Sequence, residues 1–387
     1  MPVVGPEPVV ALGTVVRAAL SGWDEGCRGC DPEVEPDAPD LSGHPRFVEG
    51  PLSGWYAEEL GYFKHVVSGQ LVDPSTIAVL DRPAVDGESL AWKDPALLWP
   101  DEPVRRKRYR ALQSWYRHNV LAVPPGVHSS GRPLGSLLPE WAGEAGLNFL
   151  HSGVHAYVKE RVPQVLAENG ALARPRLMTN MLSSMPLAFN LFGHLRAWPG
   201  IAADVIREML GVPVSEIRRI EVEYAPQPVE RYLGDRTAFD AFVEYSSKGR
   251  RGFIAIETKY TEPFTQVPHV NNPRYAELTS AAHGFREGAL ERVSQVATNQ
   301  LWRNTMLALA LRQLDEFDEA YVAVFSTADD EAAKAAVAGL REELGEAGLV
   351  LPLVNFERFI EPLDAYVGAS TFAREFSLRY LDLTPVA

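Results

Sequence analysis

The chain has 387 residues, a formal net charge of −14, 46% hydrophobic and 23% charged residues, and two cysteines. That length buries a real core and suggests two or three structural units, and no apolar run approaches the length of a membrane span. The acidic balance argues against coating nucleic acid by bulk electrostatics, though not against a local basic track, and two cysteines exclude a disulfide framework and point to a reducing cytoplasm.

The first residues, MPVVGPEPVVALGTVVRAAL, lack a basic start and carry Pro6 and Pro8, so they do not read as a signal peptide. Residues 1–145 are rich in proline and glycine and show no sustained period; they read as an irregular, partly helical region, with short helices expected over 55–67 and 104–119. The second of these holds RRKRYRALQSWYRHN, which places Arg105, Arg106, Lys107, Arg108 and Arg110 beside aromatic rings. That mixture suits phosphate contacts and base stacking, and equally a solvated basic helix face.

From residue 146 to 387 the pattern tightens into what reads as one α/β domain. Helical spacing runs over 147–170 and stops at Asn169-Gly170, then returns over 181–198 and over 201–210, which Gly211 ends. Three strands follow, in SEIRRIEVEY, RTAFDAFVEY and GFIAIETKY. A long helix is expected over 286–314, a strand in EAYVAVFS, a helix over 329–348 and a last strand in LVLPLVNF. The order α-β-β-β-α-β-α-β implies a mixed sheet flanked by helices.

The third strand ends on an oddity, because its apolar run leads into Glu257-Thr258-Lys259. Alternation puts Phe253, Ala255, Glu257 and Lys259 on one face, where burying charge is costly without compensation. A hairpin turn centred on Lys248-Gly249 sets Tyr245 opposite Gly252 and, further out, Asp240 opposite Glu257. Two carboxylates about 5 Å apart repel unless a proton or a cation lies between them. Mg²⁺, which takes one or two carboxylates and keeps several waters, answers that need. The tripeptide alone says little, since 51 acidic residues and seven lysines make about one chance match. An ion pair at a sheet end is the plain alternative, but two acids and one base do not neutralise each other. Lysine is also scarce: seven of 37 basic residues, the rest being arginine.

Asp240 followed seventeen positions later by Glu257-Thr258-Lys259 resembles the PD-(D/E)XK, or restriction-endonuclease-like, nuclease superfamily. The element order over about 180–360 is similar to its α-β-β-β-α-β core. SSMPLAFNLFGHL, IETKYTE and NQLWRN resemble, more narrowly, a bacterial family of restriction-endonuclease-like proteins. Phe239 stands where the motif's proline would be, and a Q-x-x-x-Y pattern is not matched.

The resemblance implies a Mg²⁺- or Mn²⁺-dependent hydrolase of phosphodiester bonds, acting on nucleic acid and most simply DNA, in defence or repair. Asp240, Glu257 and the backbone carbonyl of Thr258 would hold the metal, Lys259 would act on the attacking water, and Gln300 would assist. Glu208, Glu262 and Gln295 are accessory candidates. The alternative is a catalytically silent nucleic-acid-binding module that keeps the fold. No membrane role is implied, and a homodimer is one arrangement the sequence allows. Cys27 and Cys30, with His44, have the spacing of half a zinc site without a second pair; His151 and His155 read as structural.

Overall fold

In the computed structural model, five strands, β1 (Val15–Ala18), β2 (Gly54–Ala57), β3 (Tyr62–His65), β4 (Leu71–Val72) and β5 (Ile77–Leu80), are described before residue 94. From residue 94 onward all but 100, 169, 171, 265–267, 281–283, 346–348, 367–368 and 387 are described. Cys27, Cys30, His44 and Asn169 lie outside the described residues. Strand β1 pairs antiparallel with β5, and β3 pairs with β2 and β4. The helix expected over 55–67 is therefore replaced by the β2–β3 hairpin. Its aromatic residues (Trp55, Tyr56, Tyr62, Phe63) favour a pleated surface over a helix.

The chain divides into two compact units. The first comprises Met1–Tyr157, Pro175–Leu182 and Asp382–Ala387, and the second Val158–Arg174 and Ser183–Leu381. In the first unit, helix α1 (Val104–Trp115) runs into a wider π-type turn over Tyr116–Val120. Strands β6 (Gly126–Val127) and β7 (Pro133–Leu134) pair beside it in sequence. Arg117 is fully buried, and its fork donates to the carbonyls of Gly135 and Val123.

The expected helix over 147–170 narrows to α2 (Ser152–Ala167), because Gly146 has φ +82° and His151 Nδ1 accepts from Gly153 N at 2.9 Å, fixing the start. His155 stacks on Phe149 at 5.6 Å.

The second unit is the mixed α/β sheet. Helix α3 (Pro199–Leu210) ends at Gly211 in the left-handed conformation. Strands β8 (Glu216–Tyr224), β9 (Phe239–Ser247) and β10 (Arg250–Thr258) follow. Then come α4 (Asn299–Leu314), β11 (Glu319–Ser326), α5 (Glu331–Glu343), β12 (Val354–Asn355) and α6 (Ala369–Tyr380). The sheet order is β12-β11-β10-β9-β8. Strands β8, β9 and β10 are antiparallel neighbours, while β10–β11 and β11–β12 are parallel.

Three expected elements come out shorter. The 286–314 helix breaks into Ala289–Val293 and α4, because Thr298 Oγ1 bonds the carbonyls of Val293 and Gln295 and diverts the backbone. The 181–198 helix starts only at Ser184, capped by Ser183, and widens into a π-type turn over Phe189–Gly193. LVLPLVNF pairs with β11 in one isolated parallel bridge, Val350 to Val322, and then only at β12, since Pro352 between them has no N–H to donate to a ladder.

A two-residue turn joins β9 to β10. Lys248 has φ +49° and Gly249 φ +82°, the positive pair that matches the twist of a hairpin. That turn sets Gly252 opposite Tyr245 and Ile256 opposite Ala241. One sheet face packs Phe242, Phe253 and Ala255 into a core with Leu301, Trp302 and Phe317. Burying that face positions α4 alongside the ends of β9 and β10.

A Cβ at Gly252 would overlap the ring of Tyr245, its cross-strand partner. Gly252→Ala is expected to lower stability by about 1–3 kcal/mol, the cost of overpacking a filled site. Urea unfolding measures it; an unchanged midpoint would show that the ring has room to move.

Candidate active site

Glu257 is the penultimate residue of β10 and Lys259 follows its end, with 2% and 6% of their surfaces exposed. At that burial each charge needs close partners. Lys259 Nζ lies 2.7 Å from Glu257 Oε1 and donates to Gln300 Oε1 at 3.0 Å. Gln300 Nε2 donates back to Glu257 Oε1 at 2.6 Å, so the amide closes a triangle with the ion pair. The other carboxylate oxygen, Oε2, accepts from Asn304 Nδ2 at 2.7 Å. Gln300 and Asn304 stand one helical turn apart on α4 and meet Glu257 from the same side. The backbone N–H of Lys259 donates to the carbonyl of Phe325 at 2.7 Å, and the ammonium sits 4.7 Å from the ring centre of Phe264.

Asp240, second in β9 and half-buried, reaches the same place from the neighbouring strand. Its Oδ2 accepts from the backbone N–H of Thr258 at 2.6 Å and from Thr258 Oγ1 at 2.7 Å. Its Oδ1 has no hydrogen-bond partner among the described residues. Burial, and then the negative charge of Glu257, push the Asp240 carboxyl up to about 7; Lys259 and the two Thr258 bonds offset only part of that. Burial on its own pulls the Lys259 ammonium down. Glu257 and Asp240, helped by Glu262, outweigh it and raise its pKa, so the amine stays charged. Two carboxylates therefore share one ammonium, and ionising both leaves a surplus negative charge.

That surplus is the test of whether a metal suits these residues. The donors are hard carboxylate oxygens, one of them without a partner, beside a backbone carbonyl at a strand end. Among the described residues no cluster of three or more acidic, histidine or cysteine side chains could hold a metal ion. A pair of carboxylates suits an ion that keeps most of its waters, as Mg²⁺ does, and not one caged wholly by protein. The residues fit such a cation.

The remaining candidates lie elsewhere or do other work. Glu262 Oε1 accepts from the N–H of Ser184 at 2.9 Å, tying it to the first residue of the short helix Ser184–Ala188. Glu208 lines a separate cavity of about 340 Å³ with Leu351, Val354 and Arg358. Gln295 is exposed and donates to the carbonyl of Glu291 at 2.8 Å, in the break before α4.

In the first unit, Arg110 is buried, with Nε and Nη2 on the two oxygens of Glu102 at 2.7 and 2.8 Å and Nη1 on Ser136. Its fork is already engaged, which corrects its expected place among surface contacts to nucleic acid. Arg105 lies 5.2 Å from the Tyr109 ring centre, Arg106 and Lys107 are half-buried, and Arg108 is exposed. Asn304 and the Thr258 hydroxyl were not singled out by sequence reading. The available signal for Asn304 was its place four residues after Gln300, within the NQLWRN stretch.

A family model for the PD-(D/E)XK nuclease superfamily matches residues 100–382, a span that contains every side chain of this cluster. No curated protein and no solved structure matches the chain.

Two measurements check the electrostatics. The ordinary carboxylate pKa is about 3.9, so between there and about 7 the folded protein holds a proton on Asp240 that the unfolded chain has lost. Its contribution to stability therefore falls as pH rises through that window and is flat above it. In metal-free buffer, the thermal midpoint of Asp240→Asn is expected to gain on the parent by at least about 2 °C between pH 5 and pH 8. A constant gap would mean that Asp240 titrates normally. Asn304→Ala leaves Glu257 Oε2 buried without its donor, and is expected to cost about 1–3 kcal/mol in urea unfolding.

Proposed function

The chain belongs to the PD-(D/E)XK nuclease superfamily, and on that premise we propose that it is a metal-dependent phosphodiesterase that cleaves nucleic acid, with DNA as the substrate. One observation carries the reading. Asp240, Glu257 and Lys259 converge at adjoining strand ends with one negative charge in surplus, an arrangement that costs stability unless a cation uses it. A cytoplasmic setting, a role in defence or repair, and a division into an N-terminal region, 1–145, and a nuclease-like domain, 146–387, belong to the same proposal.

Asp240 Oδ1, a Glu257 oxygen and the Thr258 carbonyl would hold Mg²⁺ or Mn²⁺. When bound, such an ion supplies polarisation of the phosphoryl oxygen and a lower pKa for the attacking water. The protein's own part is orientation and charge. Glu257 and Gln300 hold the Lys259 ammonium in one position, from which it would face a phosphate bound at the strand ends. Lys259 then steadies the charge that grows on the phosphate in the transition state, in a dry site where that interaction is strong. Gln300 and Asn304 hold Glu257 in one rotamer, so the carboxylate does not reorganise as the substrate arrives.

The test is a set of paired measurements on the parent, Asp240→Asn, Lys259→Ala and Lys259→Arg. Millimolar Mg²⁺ or Mn²⁺ is expected to raise the parent's thermal midpoint by mass action, and Asp240→Asn to abolish the rise. Lys259→Ala is expected to bind DNA within a few-fold of the parent while its cleavage rate falls by orders of magnitude, as when an interaction of the transition state is lost. Lys259→Arg does not rescue it, because a planar fork cannot occupy the site of a compact amine. Cleavage by Lys259→Ala at the parent's rate overturns the proposal.

A further inference from the structure

The basic–aromatic helix of the first unit is not absorbed by the cluster just described, and it borders a cavity of its own. A space of about 420 Å³ opens beside the start of α1, bordered by Trp99, Asp101, Glu102, Arg106, His128 and Asn180 among others. We propose that this cavity binds a single nucleobase, with guanine preferred.

The charges around it narrow the class of ligand. Arg110 holds both oxygens of Glu102, at 2.7 and 2.8 Å. Arg106 adds an ion pair to the same carboxylate, Nε to Oε2 at 3.4 Å. With Asp101 at the rim, two arginines stand against two carboxylates. A free phosphate would meet the acids and a simple cation would meet the guanidinium groups. A neutral ligand that both donates and accepts hydrogen bonds meets neither penalty.

The unspent polar atoms narrow it further. Arg106 Nε is buried without a hydrogen-bond partner, because its approach to Glu102 is misaligned. Leaving a buried donor unmade is costly, and a ligand acceptor would recover that cost. Asn180, on the cavity lining, accepts from the N–H of Leu182 through Oδ1 at 3.0 Å, so what its amide has left to offer a ligand is its donor end. Asp101 is exposed and offers only acceptors. The wall is aromatic: Trp99 meets His128 edge-on at 5.4 Å, with the Arg132 guanidinium 5.6 Å from its ring centre.

Donors on one side and a carboxylate on the other match guanine, whose O6 and N7 accept while its N2 amino group donates. Adenine lacks the O6 acceptor, and cytosine presents its acceptors, O2 and N3, without the O6–N7 pair of the purine edge. The base could come from a free nucleotide or from a nucleotide turned out of a strand; the recognition chemistry is the same.

The test is calorimetric titration of the full-length protein in metal-free buffer, where cleavage plays no part. Guanosine, adenosine, cytidine and uridine 5′-monophosphates are compared with a single-stranded oligonucleotide carrying one guanine and with its abasic counterpart. Guanosine 5′-monophosphate is expected to bind at least tenfold tighter than the other three. Arg106→Ala and Asp101→Asn are expected each to weaken it at least tenfold, with Lys159→Ala, exposed on α2 and off the cavity lining, as the unaffected control. Asp101→Asn changes only an exposed group and serves where Arg106→Ala fails to fold. Tighter binding of the guanine oligonucleotide than of the mononucleotide assigns the site to a strand, and the reverse assigns it to a free nucleotide. No saturation by any nucleotide at millimolar concentration, no preference among bases, or equal loss in Lys159→Ala overturns the inference. Because no step involves Lys259 or a metal, failure here leaves the cleavage reading standing, and failure of that reading leaves this one.

Discussion

A buried cluster of two carboxylates and one ammonium does not hold its shape by attraction alone, because Glu257 disfavours the charge of Asp240 while Lys259 is in ion-pair contact with Glu257. What holds Glu257 is a set of directed bonds from a different element: two amides, Gln300 and Asn304, spaced one turn apart on α4. Those amides arrive where they do because the following residues of α4 are apolar and sealed. Trp302 is fully buried and its indole N–H donates to Thr279 Oγ1 at 2.9 Å; Leu301 and Met306 are buried with it. Moving the helix by an ångström would open that core and release both amides. The packing on one face of the sheet thus sets the electrostatics at its end.

Asp240 is held differently. Its carboxylate accepts from Thr258, a residue of the neighbouring strand, so the hairpin register places it. The loop entering β9 is tied down as well. Asp235 Oδ1 accepts from the N–H of Thr237 at 2.8 Å, and Arg303 reaches Thr237 Oγ1 at 2.5 Å and Tyr275 Oη at 3.0 Å. Arg303 is the neighbour of Asn304 on α4. One helix therefore braces the start of β9 with a guanidinium and the end of β10 with two amides, and the distance between the carboxylates follows from both.

The parts of this that sequence could show are those set by local rules. A Lys-Gly turn with positive φ at both positions fixes a two-residue hairpin, and the hairpin fixes which residues face each other, so the opposition of Asp240 and Glu257 follows by counting. The element order and the ends of β11 follow from periodicity in the same way. Asn304 was legible only through its spacing from Gln300, because an asparagine in an apolar helix carries no other mark of which neighbour it will meet. The breaks at Thr298 and Pro352 were not legible, since a side-chain bond or a missing N–H there overrides an apolar pattern. Glu208 and Gln295 show the limit of carrying a role by nearness in sequence, since neither helix nor loop aims them at the strand ends.

The scarcity of lysine takes its meaning from what the arginines do. Arg161 donates to the carbonyls of Val222 and Glu223 at the end of β8. Arg207 holds the carbonyl of Val214 with two nitrogens, at 2.9 and 2.8 Å. Arg117 does the same kind of work in the first unit, on the carbonyls of Gly135 and Val123. A rigid planar fork suits such sites, where two acceptors lie side by side and the charge is never released. Among the described residues Lys259 is the one buried lysine. Its partners, a carboxylate oxygen and an amide oxygen, converge on a single point, which a compact ammonium can occupy and a fork cannot. The same ammonium lies 4.7 Å from the ring centre of Phe264. A chain that braces its backbone with arginine and keeps its one buried lysine, among the described residues, for an ion pair with a neighbouring strand-end carboxylate has divided the work of its two kinds of cation.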